Sequence, residues 1–268
     1  MTKGTSSVMV VIPARYGSSR FPGKPLVLLG RKPMIQHVYE QAAACRAVTE
    51  VLVATDDERI KQAVEGFGGR ALMVDGDYRT GTDRVAGAVR MSGGAYEYIV
   101  NLQGDEIPQQ PDLLADLIDP FIKGGAEMAT LKRRIDSTED VHNPSVVKVV
   151  TDHLGYALYF SRAPIPLVRD DASRRAVAGL HYIHLGLYMY RCATLLKLAS
   201  LPTGRLEEAE KLEQLRALEQ GIAIRVWETK HASLRVDTPD DVESVTEKLQ
   251  QFDVIKRELG LLKAAPSR

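Results

Sequence analysis

The stretch Met9–Pro25, MVVIPARYGSSRFPGKP, decides how the rest of this 268-residue sequence is interpreted. It begins within an apolar, β-branched run, Val8–Ile12, which is typical of a buried strand. Prolines, glycines and serines then interrupt any regular structure and predict a loop. Arg15, Arg20 and Lys24 give that loop three positive charges. A strand that ends in a glycine- and serine-rich cationic loop is suited to holding a phosphate-like anion, so we expect an enzyme active site here.

The positive charge of this loop is local, because the whole chain is balanced. Lys plus Arg and Asp plus Glu both number 35, which argues against a nucleic-acid partner or an anionic membrane surface. Hydrophobic residues make up 44% and charged residues 26%, as in ordinary soluble globular proteins. A chain of this length can bury a sizeable core.

Compartment signals favour the cytoplasm. Cys45 and Cys192 are too few and too far apart for a disulfide framework or a thiolate metal site, and we interpret them as apolar thiols in a reducing compartment. No apolar run approaches the roughly 20 residues of a spanning helix, and the N-terminus lacks a signal-peptide core. The expectation is a soluble, cytoplasmic protein without membrane insertion.

Alternating strand and helix patterns in the first half predict an α/β fold. Strands are expected over Glu50–Thr55, Ala71–Val74 and Tyr98–Leu102, with amphipathic helices between them, which favours a parallel sheet. Ligands of such sheets bind beyond the carboxyl ends of the strands. The first loop lies at such an end, as do the stretches Asp75–Arg84, before a predicted helix Val85–Met91, and Gln103-Gly104-Asp105-Glu106.

The second half is predicted to complete one domain, residues 1–268, in which residues of about 120–220 form a subdomain or a subunit interface. The predicted elements are strands over Met128–Ile135, Val146–Thr151, Tyr156–Phe160, His184–Tyr190 and Ile222–Trp227, and helices over Leu113–Ile122, Leu206–Gln220 and Asp240–Leu249.

The loop chemistry favours nucleotidyl transfer. Neither GxxxxGK[ST] nor GxGxxG occurs, which argues against a P-loop NTPase and against a dinucleotide-dependent dehydrogenase. Attack on the α-phosphorus of a nucleoside triphosphate needs cations for the leaving pyrophosphate and carboxylates for Mg²⁺. Arg15 and Lys24 suit the first task, and Asp105, just past a buried strand, suits the second.

A set of motifs, in order and spread over residues 8–247, resembles the 3-deoxy-manno-octulosonate (Kdo) cytidylyltransferase family. The motifs are VVIPARYGSSRFPGKPL, VATDD, GTDR, VNLQGDE, NPSVVKVV, GYALYFSRAPIP, HLGLYMYR, EKLEQLR and VDTPDDVE. The resemblance implies a Rossmann-like, glycosyltransferase-A-type three-layer sandwich with a mixed, mainly parallel sheet. It also implies a Mg²⁺-dependent homodimer that transfers CMP from CTP to the anomeric 2-hydroxyl of the sugar acid.

The resemblance further implies a role for each matching residue. The residues expected to bind the triphosphate are Arg15, Ser18, Arg20 and Lys24, and those expected to frame the cytosine and ribose are Thr80, Gly81 and Arg84. Asp105 and Asp237 would be the Mg²⁺ ligands. Lining the sugar pocket would be Gln103, Arg162, His184, Glu210 and Gln214, with Arg162 facing the substrate carboxylate. Glu210 and Gln214 are expected on one face of the predicted helix Leu206–Gln220, where an exposed ladder explains their spacing equally well.

Departures from the family motifs leave the acceptor open. Ile107 precedes Pro108 where the family has QGDEP, Leu167-Val168-Arg169-Asp170 replaces a segment with Trp and acidic residues, and Met189 replaces a small residue. These changes are expected near the sugar, so an 8-amino or otherwise altered 3-deoxy-octulosonate is an alternative substrate. A non-catalytic CTP-binding regulatory protein is a remote alternative, which the presence of Lys24, Asp105 and Asp237 disfavours.

Overall fold

The structure, a computed structural model, describes residues 7–17, 21–169 and 179–258, with side chains described as far as residue 252. Its strands are β1 Val8–Ala14, β2 Leu28–Leu29, β3 Lys32–Pro33, β4 Glu50–Thr55, β5 Ala71–Met73, β6 Tyr98–Leu102, β7 Glu106–Pro108, β8 Met128–Arg134, β9 Lys148–Thr151, β10 Ala157–Ser161, β11 Tyr182–Arg191, β12 Ile224–Glu228 and β13 Ser233–Arg235. Its helices are α1 Met34–Ala43, α2 Glu58–Gly66, α3 Gly81–Met91, α4 Asp112–Gly124, α5 Thr138–His142, α6 Cys192–Ser200, α7 Arg205–Glu210, α8 Leu215–Glu219 and α9 Asp241–Glu258.

A nine-stranded mixed sheet forms the centre of the molecule. The parallel part has the order β6-β1-β4-β5, as the strand–helix alternation predicts. The long strand β11 then pairs antiparallel with β6 and β8, and touches β9 at Ile183, while β12 adds to β8 in parallel. The return of the chain to the main sheet after residue 222 is therefore confirmed.

Strand β1 shows why the sheet carries helices on both faces. Val8, Val10 and Ile12 pack into one apolar cluster with α1, α2 and α4, whereas Met9 and Val11 pack into another with α3 and α6. All five side chains are fully buried, which accounts for the uninterrupted apolar run of this strand. The predicted three-layer sandwich is confirmed.

The predicted helix Leu206–Gln220 is wrong, because the chain is broken into α7 and α8. Lys211 adopts a left-handed conformation with φ of 54°, which ends α7. The break lets Arg216, the second residue of α8, reach Glu207 and Asp83 with its buried guanidinium. Glu210 and Gln214 therefore do not share a helix face.

Other differences lie at element ends or in short elements. Helix α3 begins four residues before the predicted Val85, and α6 was not predicted. The two short strands β7 and β13, also unpredicted, form a separate two-stranded sheet. None of the described helices combines the length and apolarity that a membrane crossing needs.

Candidate active site

The first loop leaves the sheet at the carboxyl end of β1. Arg15 follows the last strand residue, and Lys24 begins a short 3₁₀ turn, Lys24–Leu26. Gly23 has φ of 72°, which a glycine adopts without strain and which turns the chain back so that its N–H donates to Tyr16 O. Ser18 and Arg20 lie outside the described residues.

The second segment of the site follows β6, the neighbour of β1. A Cβ at Gly104 would lie 2.8 Å from the carbonyl oxygen of Pro13, so glycine is needed for the backbone to pass this close to the end of β1. The close approach brings Gln103 and Asp105 beside the cationic loop.

The β7–β13 pairing supplies the third segment. Arg235 pairs with Glu106 in an antiparallel ladder, so the residues just after β13 lie opposite those just before β7. Asp237, 132 positions from Asp105 in the sequence, is thereby brought to the same end of the sheet. Arg235 Nε lies 3.0 Å from Asp237 Oδ2.

Helix α3 presents its N-terminus to the same region. Thr80 caps the helix through its side chain, which accepts a hydrogen bond from Asp83 N. Gly81 lies against the Gln103 amide, and Arg84 is held by Val74 O and Asp56. The positive end of the helix dipole at this position favours an anionic or electron-rich ligand.

These segments line two cavities that share one wall. The smaller, of about 200 Å³, and the larger, of about 880 Å³, have in common Arg15, Arg79, Thr80, Gly81, Gln103 and Asp105. Of the residues predicted from sequence, the smaller cavity adds Lys24 and Arg84, and the larger adds Arg162, His184, Gln214 and Asp237. The cleft therefore has a smaller cationic end and a wider polar end that meet at Asp105.

Lys24 and Asp105 form an ion pair where the two cavities meet. Lys24 Nζ lies 2.7 Å from Asp105 Oδ2 and donates to Val236 O at 2.9 Å. Burial of the Asp105 carboxyl raises its pKa, but the positive charges of Lys24 and Arg235 outweigh burial and hold the pKa below its ordinary value. Asp105 is therefore ionised at neutral pH.

His184 is a neutral hydrogen-bonding group. Burial, followed by the charge of Arg235, lowers its pKa from 6.5 to about 3. Its Nε2 lies 3.0 Å from Thr130 Oγ1, whose single hydroxyl hydrogen is directed to Leu185 O or Leu187 O. Nε2 therefore donates to Thr130, and Nδ1 is left as the acceptor nitrogen.

Arg162 lines the larger cavity but is also tied to backbone. Its Nε donates to Glu210 O at 2.8 Å and one Nη donates to Pro144 O at 2.9 Å. Glu210 itself is not among the residues that line either cavity. Its carboxylate accepts hydrogen bonds from Ser161 Oγ at 2.6 Å and from Arg162 N at 2.9 Å. Glu210 therefore fixes the backbone of Arg162 without lining the cavity itself.

The polar residues of the larger cavity that sequence reasoning missed include Glu213, Tyr188 and Arg235. Burial raises the pKa of the Glu213 carboxyl, which accepts from Thr82 N at 3.1 Å. Burial likewise raises the pKa of the Tyr188 hydroxyl. Glu213 immediately precedes Gln214, and Arg235 lies two residues before Asp237. Closeness in sequence to these predicted site residues was the signal that could have identified Glu213 and Arg235.

The described departures from the family motifs do not line this cleft. Ile107 and Met189 are fully buried in the apolar core, and Leu167 is 83% exposed. Val168 and Arg169 line neither cavity, and Asp170 is outside the described residues. Ile107 and Met189 each adjoin a residue that lines the larger cavity, Glu106 and Tyr188, so the expectation that these changes fall near the sugar stays a prediction.

Comparison with known proteins gives one consistent family. The Cytidylyltransferase family pattern matches residues 9–225. A 3-deoxy-manno-octulosonate cytidylyltransferase from Geobacter sulfurreducens is 52% identical over 91% of this chain and all of the relative. A protein of the same name from Trichlorobacter lovleyi is 50% identical over 91% of this chain and 99% of the relative. Another, from Thermodesulfovibrio yellowstonii, is 48% identical over 87% of this chain and 94% of the relative.

Solved structures agree with the sequence matches. A structure of CMP:2-keto-3-deoxy-manno-octonic acid synthetase complexed with CTP superposes with a TM-score of 0.83 at 44% identity and covers 92% of this chain and 99% of that chain. A Bacillus anthracis protein described as a glucose-1-phosphate thymidylyltransferase, in complex with a sucrose, covers the same shares with a TM-score of 0.64 at 16% identity, which shows a common fold.

Proposed function

Because this chain belongs to the 3-deoxy-manno-octulosonate cytidylyltransferase family, we propose that it transfers CMP from CTP to the anomeric 2-hydroxyl of Kdo and releases pyrophosphate. One observation carries the proposal. A cationic cavity and a wider polar cavity share a wall at Asp105, as two substrates that react with each other require.

The cationic cavity suits CTP. Arg15 and Lys24 lie at the carboxyl end of β1, where they would neutralise the triphosphate and the departing pyrophosphate. Thr80, Gly81 and Arg84, at the N-terminus of α3, would frame the cytosine and ribose. Ser18 and Arg20 of the same loop would add triphosphate contacts.

Asp105 and Asp237 suit Mg²⁺. Both line the larger cavity, and within the described ranges there is no cluster of three or more acidic, histidine or cysteine side chains that would form a complete metal cage. Mg²⁺ commonly binds through one or two carboxylates plus substrate phosphates and water, so this donor set fits. When bound, the ion would polarise the α-phosphoryl group for attack.

The wider cavity suits a sugar acid. Gln103, Arg162, His184 and Gln214 would contact it, and Glu213 replaces Glu210 in this proposal because Glu213 lines the cavity. Donors remain on the Arg162 guanidinium for the substrate carboxylate, since the hydrogen bonds to Glu210 O, Pro144 O and Lys211 O use three of five. His184, whose pKa is about 3, would orient a sugar hydroxyl rather than remove its proton.

We also propose a cytoplasmic homodimer. Leu154, Leu158, Leu167 and Leu180 are exposed within the 120–220 subregion, and Leu158 lies on the edge strand β10 of the main sheet. Exposed leucines in one subregion, one of them on a sheet edge, are suited to contact with a second copy of the chain. Light scattering after size-exclusion chromatography tests this, and a monomer at micromolar concentration would contradict it.

The deciding experiment measures pyrophosphate release with CTP against Kdo, 8-amino-Kdo and sialic acid, with and without Mg²⁺. We expect metal-dependent turnover with Kdo and loss of turnover in Asp105→Asn and Asp237→Asn. Near-normal turnover in both variants would overturn the two-carboxylate arrangement, equal rates with UTP would contradict cytosine selection, and CTP binding without turnover would favour a regulatory protein. Faster turnover with 8-amino-Kdo than with Kdo would identify 8-amino-Kdo as the acceptor.

A further inference from the structure

Each carboxylate of the proposed metal site is paired with a cation of the chain itself. Lys24 Nζ lies 2.7 Å from Asp105 Oδ2, and Arg235 Nε lies 3.0 Å from Asp237 Oδ2. Lys24 also donates to the carbonyl of Val236, the residue between Arg235 and Asp237. The two pairs therefore adjoin each other, and their charges sum to zero.

The two cations differ in what else they can do. Lys24 lines the smaller cavity, where the triphosphate is proposed to bind, and its side chain is 11% exposed. Arg235 lines the larger cavity with Asp237 but does not line the smaller one, and its side chain is 51% exposed. A triphosphate in the smaller cavity can thus contact Lys24 and compete with Asp105 for its charge, whereas Arg235 does not line that cavity.

We propose that Arg235 is a built-in counter-ion of the metal site, which lowers the affinity of the nucleotide-free protein for divalent cations. The guanidinium competes for the Asp237 oxygen that a metal would use, and its charge repels a dication nearby. The inference rests on the proposed function, in which Asp105 and Asp237 hold Mg²⁺. Arg235 is a positioning residue in this scheme.

The consequence is an order of assembly. Because Lys24 and Arg235 neutralise the charges of Asp105 and Asp237, these two carboxylates attract a divalent cation only weakly when no nucleotide is bound. The triphosphate adds several negative charges beside Asp105 and supplies its own oxygen ligands. The metal is therefore expected to bind together with CTP and to leave the site empty when CTP is absent.

The test is a titration of Mn²⁺ without nucleotide, with free Mn²⁺ read by electron paramagnetic resonance. Arg235→Gln is expected to bind Mn²⁺ about tenfold more tightly than the wild type, because one unit charge near a dication is removed. Arg235→Lys, which keeps the charge, is expected to resemble the wild type. A gain of affinity cannot come from a misfolded variant.

The matched control is Arg79→Gln. Arg79 lines the same cavity, but its partners are Asp83 and Thr203, and its removal is expected to leave the Mn²⁺ affinity unchanged. Affinity of Arg235→Gln equal to or weaker than that of the wild type, including binding too weak to detect in both, overturns the inference. An equal gain in Arg79→Gln also overturns it, since the effect would then be one of net charge.

Two further variants separate this inference from the proposed function. Asp105→Asn and Asp237→Asn are titrated with Mn²⁺ in the presence of CTP. If they bind like the wild type, the proposed metal site itself fails. If they lose Mn²⁺ while Arg235→Gln behaves like the wild type, the metal site stands and the counter-ion inference alone fails.

Discussion

Lys24 and Asp105, 81 positions apart, lie 2.7 Å from each other between Nζ and Oδ2. The same ammonium donates to Val236 O, 212 positions away. One side chain thus joins the loop after β1, the segment after β6 and the segment after β13, which are the three parts of the candidate active site. The residues proposed to neutralise phosphate and to hold the metal are therefore already in contact before any substrate binds.

Lys24→Met is expected to lower kcat/KM for CTP by roughly 10²-fold or more, because a cation proposed to stabilise the leaving pyrophosphate is lost. The variant also leaves Asp105 without its nearest counter-charge, so the pKa of that carboxyl should rise and activity should fall off at a higher pH on the acid side. Pyrophosphate release at varied CTP and pH measures both effects. Lys24→Arg, which keeps the charge, is the control, and a Lys24→Met profile like that of the wild type would contradict the assignment.

Glu213 and Glu210 make a matched pair, three positions apart on either side of the break at Lys211. Glu213→Gln is expected to raise KM for the sugar acid, because Glu213 lines the wider cavity. Glu210→Gln weakens the hydrogen bonds to Ser161 Oγ and Arg162 N, with an expected loss of about 1–2 kcal/mol in the free energy of unfolding. Steady-state kinetics and urea unfolding of both variants test the contrast, and a larger KM effect from Glu210→Gln would reverse the assignment.

The parts of the fold that were predicted correctly depend on local patterns. The apolar runs of β1, β4 and β6 are buried on both faces, and glycine, proline and polar residues separate them from the next elements. A parallel sheet then follows from the alternation of strands and helices, and the loop after β1 must lie at the ligand-binding edge.

The parts that were missed depend on contacts distant in sequence. Strands β7 and β13 have three residues each, too few for a periodic signal, and they exist because they pair with each other. The residues of α7, Lys211 and α8 all favour helix, and the break at Lys211 is stabilised by the buried contacts of Arg216. Helix α6 follows β11 without a glycine or proline between them, so no boundary was visible.

His184 should make the protein less stable in acid. Its pKa is 6.5 in the unfolded chain and about 3 in the folded protein. Between these two values the unfolded chain therefore binds a proton at this imidazole and the folded protein does not. The stability contribution is complete above pH 6.5 and is lost as the pH falls toward 3, by about 2 kcal/mol at pH 5. Urea unfolding at pH 8 and pH 5 should show a smaller acid loss for His184→Gln than for the wild type. Exposed His153→Gln is the control, and equal losses in all three proteins would refute the shift.

Arg216 is expected to be the most sensitive charged residue of the second half for stability. Its side chain is 1% exposed, and it donates to both oxygens of Glu207 at 2.7 and 2.5 Å and to Asp83 Oδ1 at 2.9 Å. Arg216→Met keeps most of the volume but leaves buried Glu207 without its counter-charge and Asp83 with Arg79 alone, so the free energy of unfolding should fall by roughly 3–5 kcal/mol. Arg90→Met, at an exposed position on α3, is the control for loss of one charge and should change stability little. Urea unfolding of both variants decides the matter, because a similar small loss in each would mean that the Asp83–Arg216–Glu207 contacts do not hold α8 against α3.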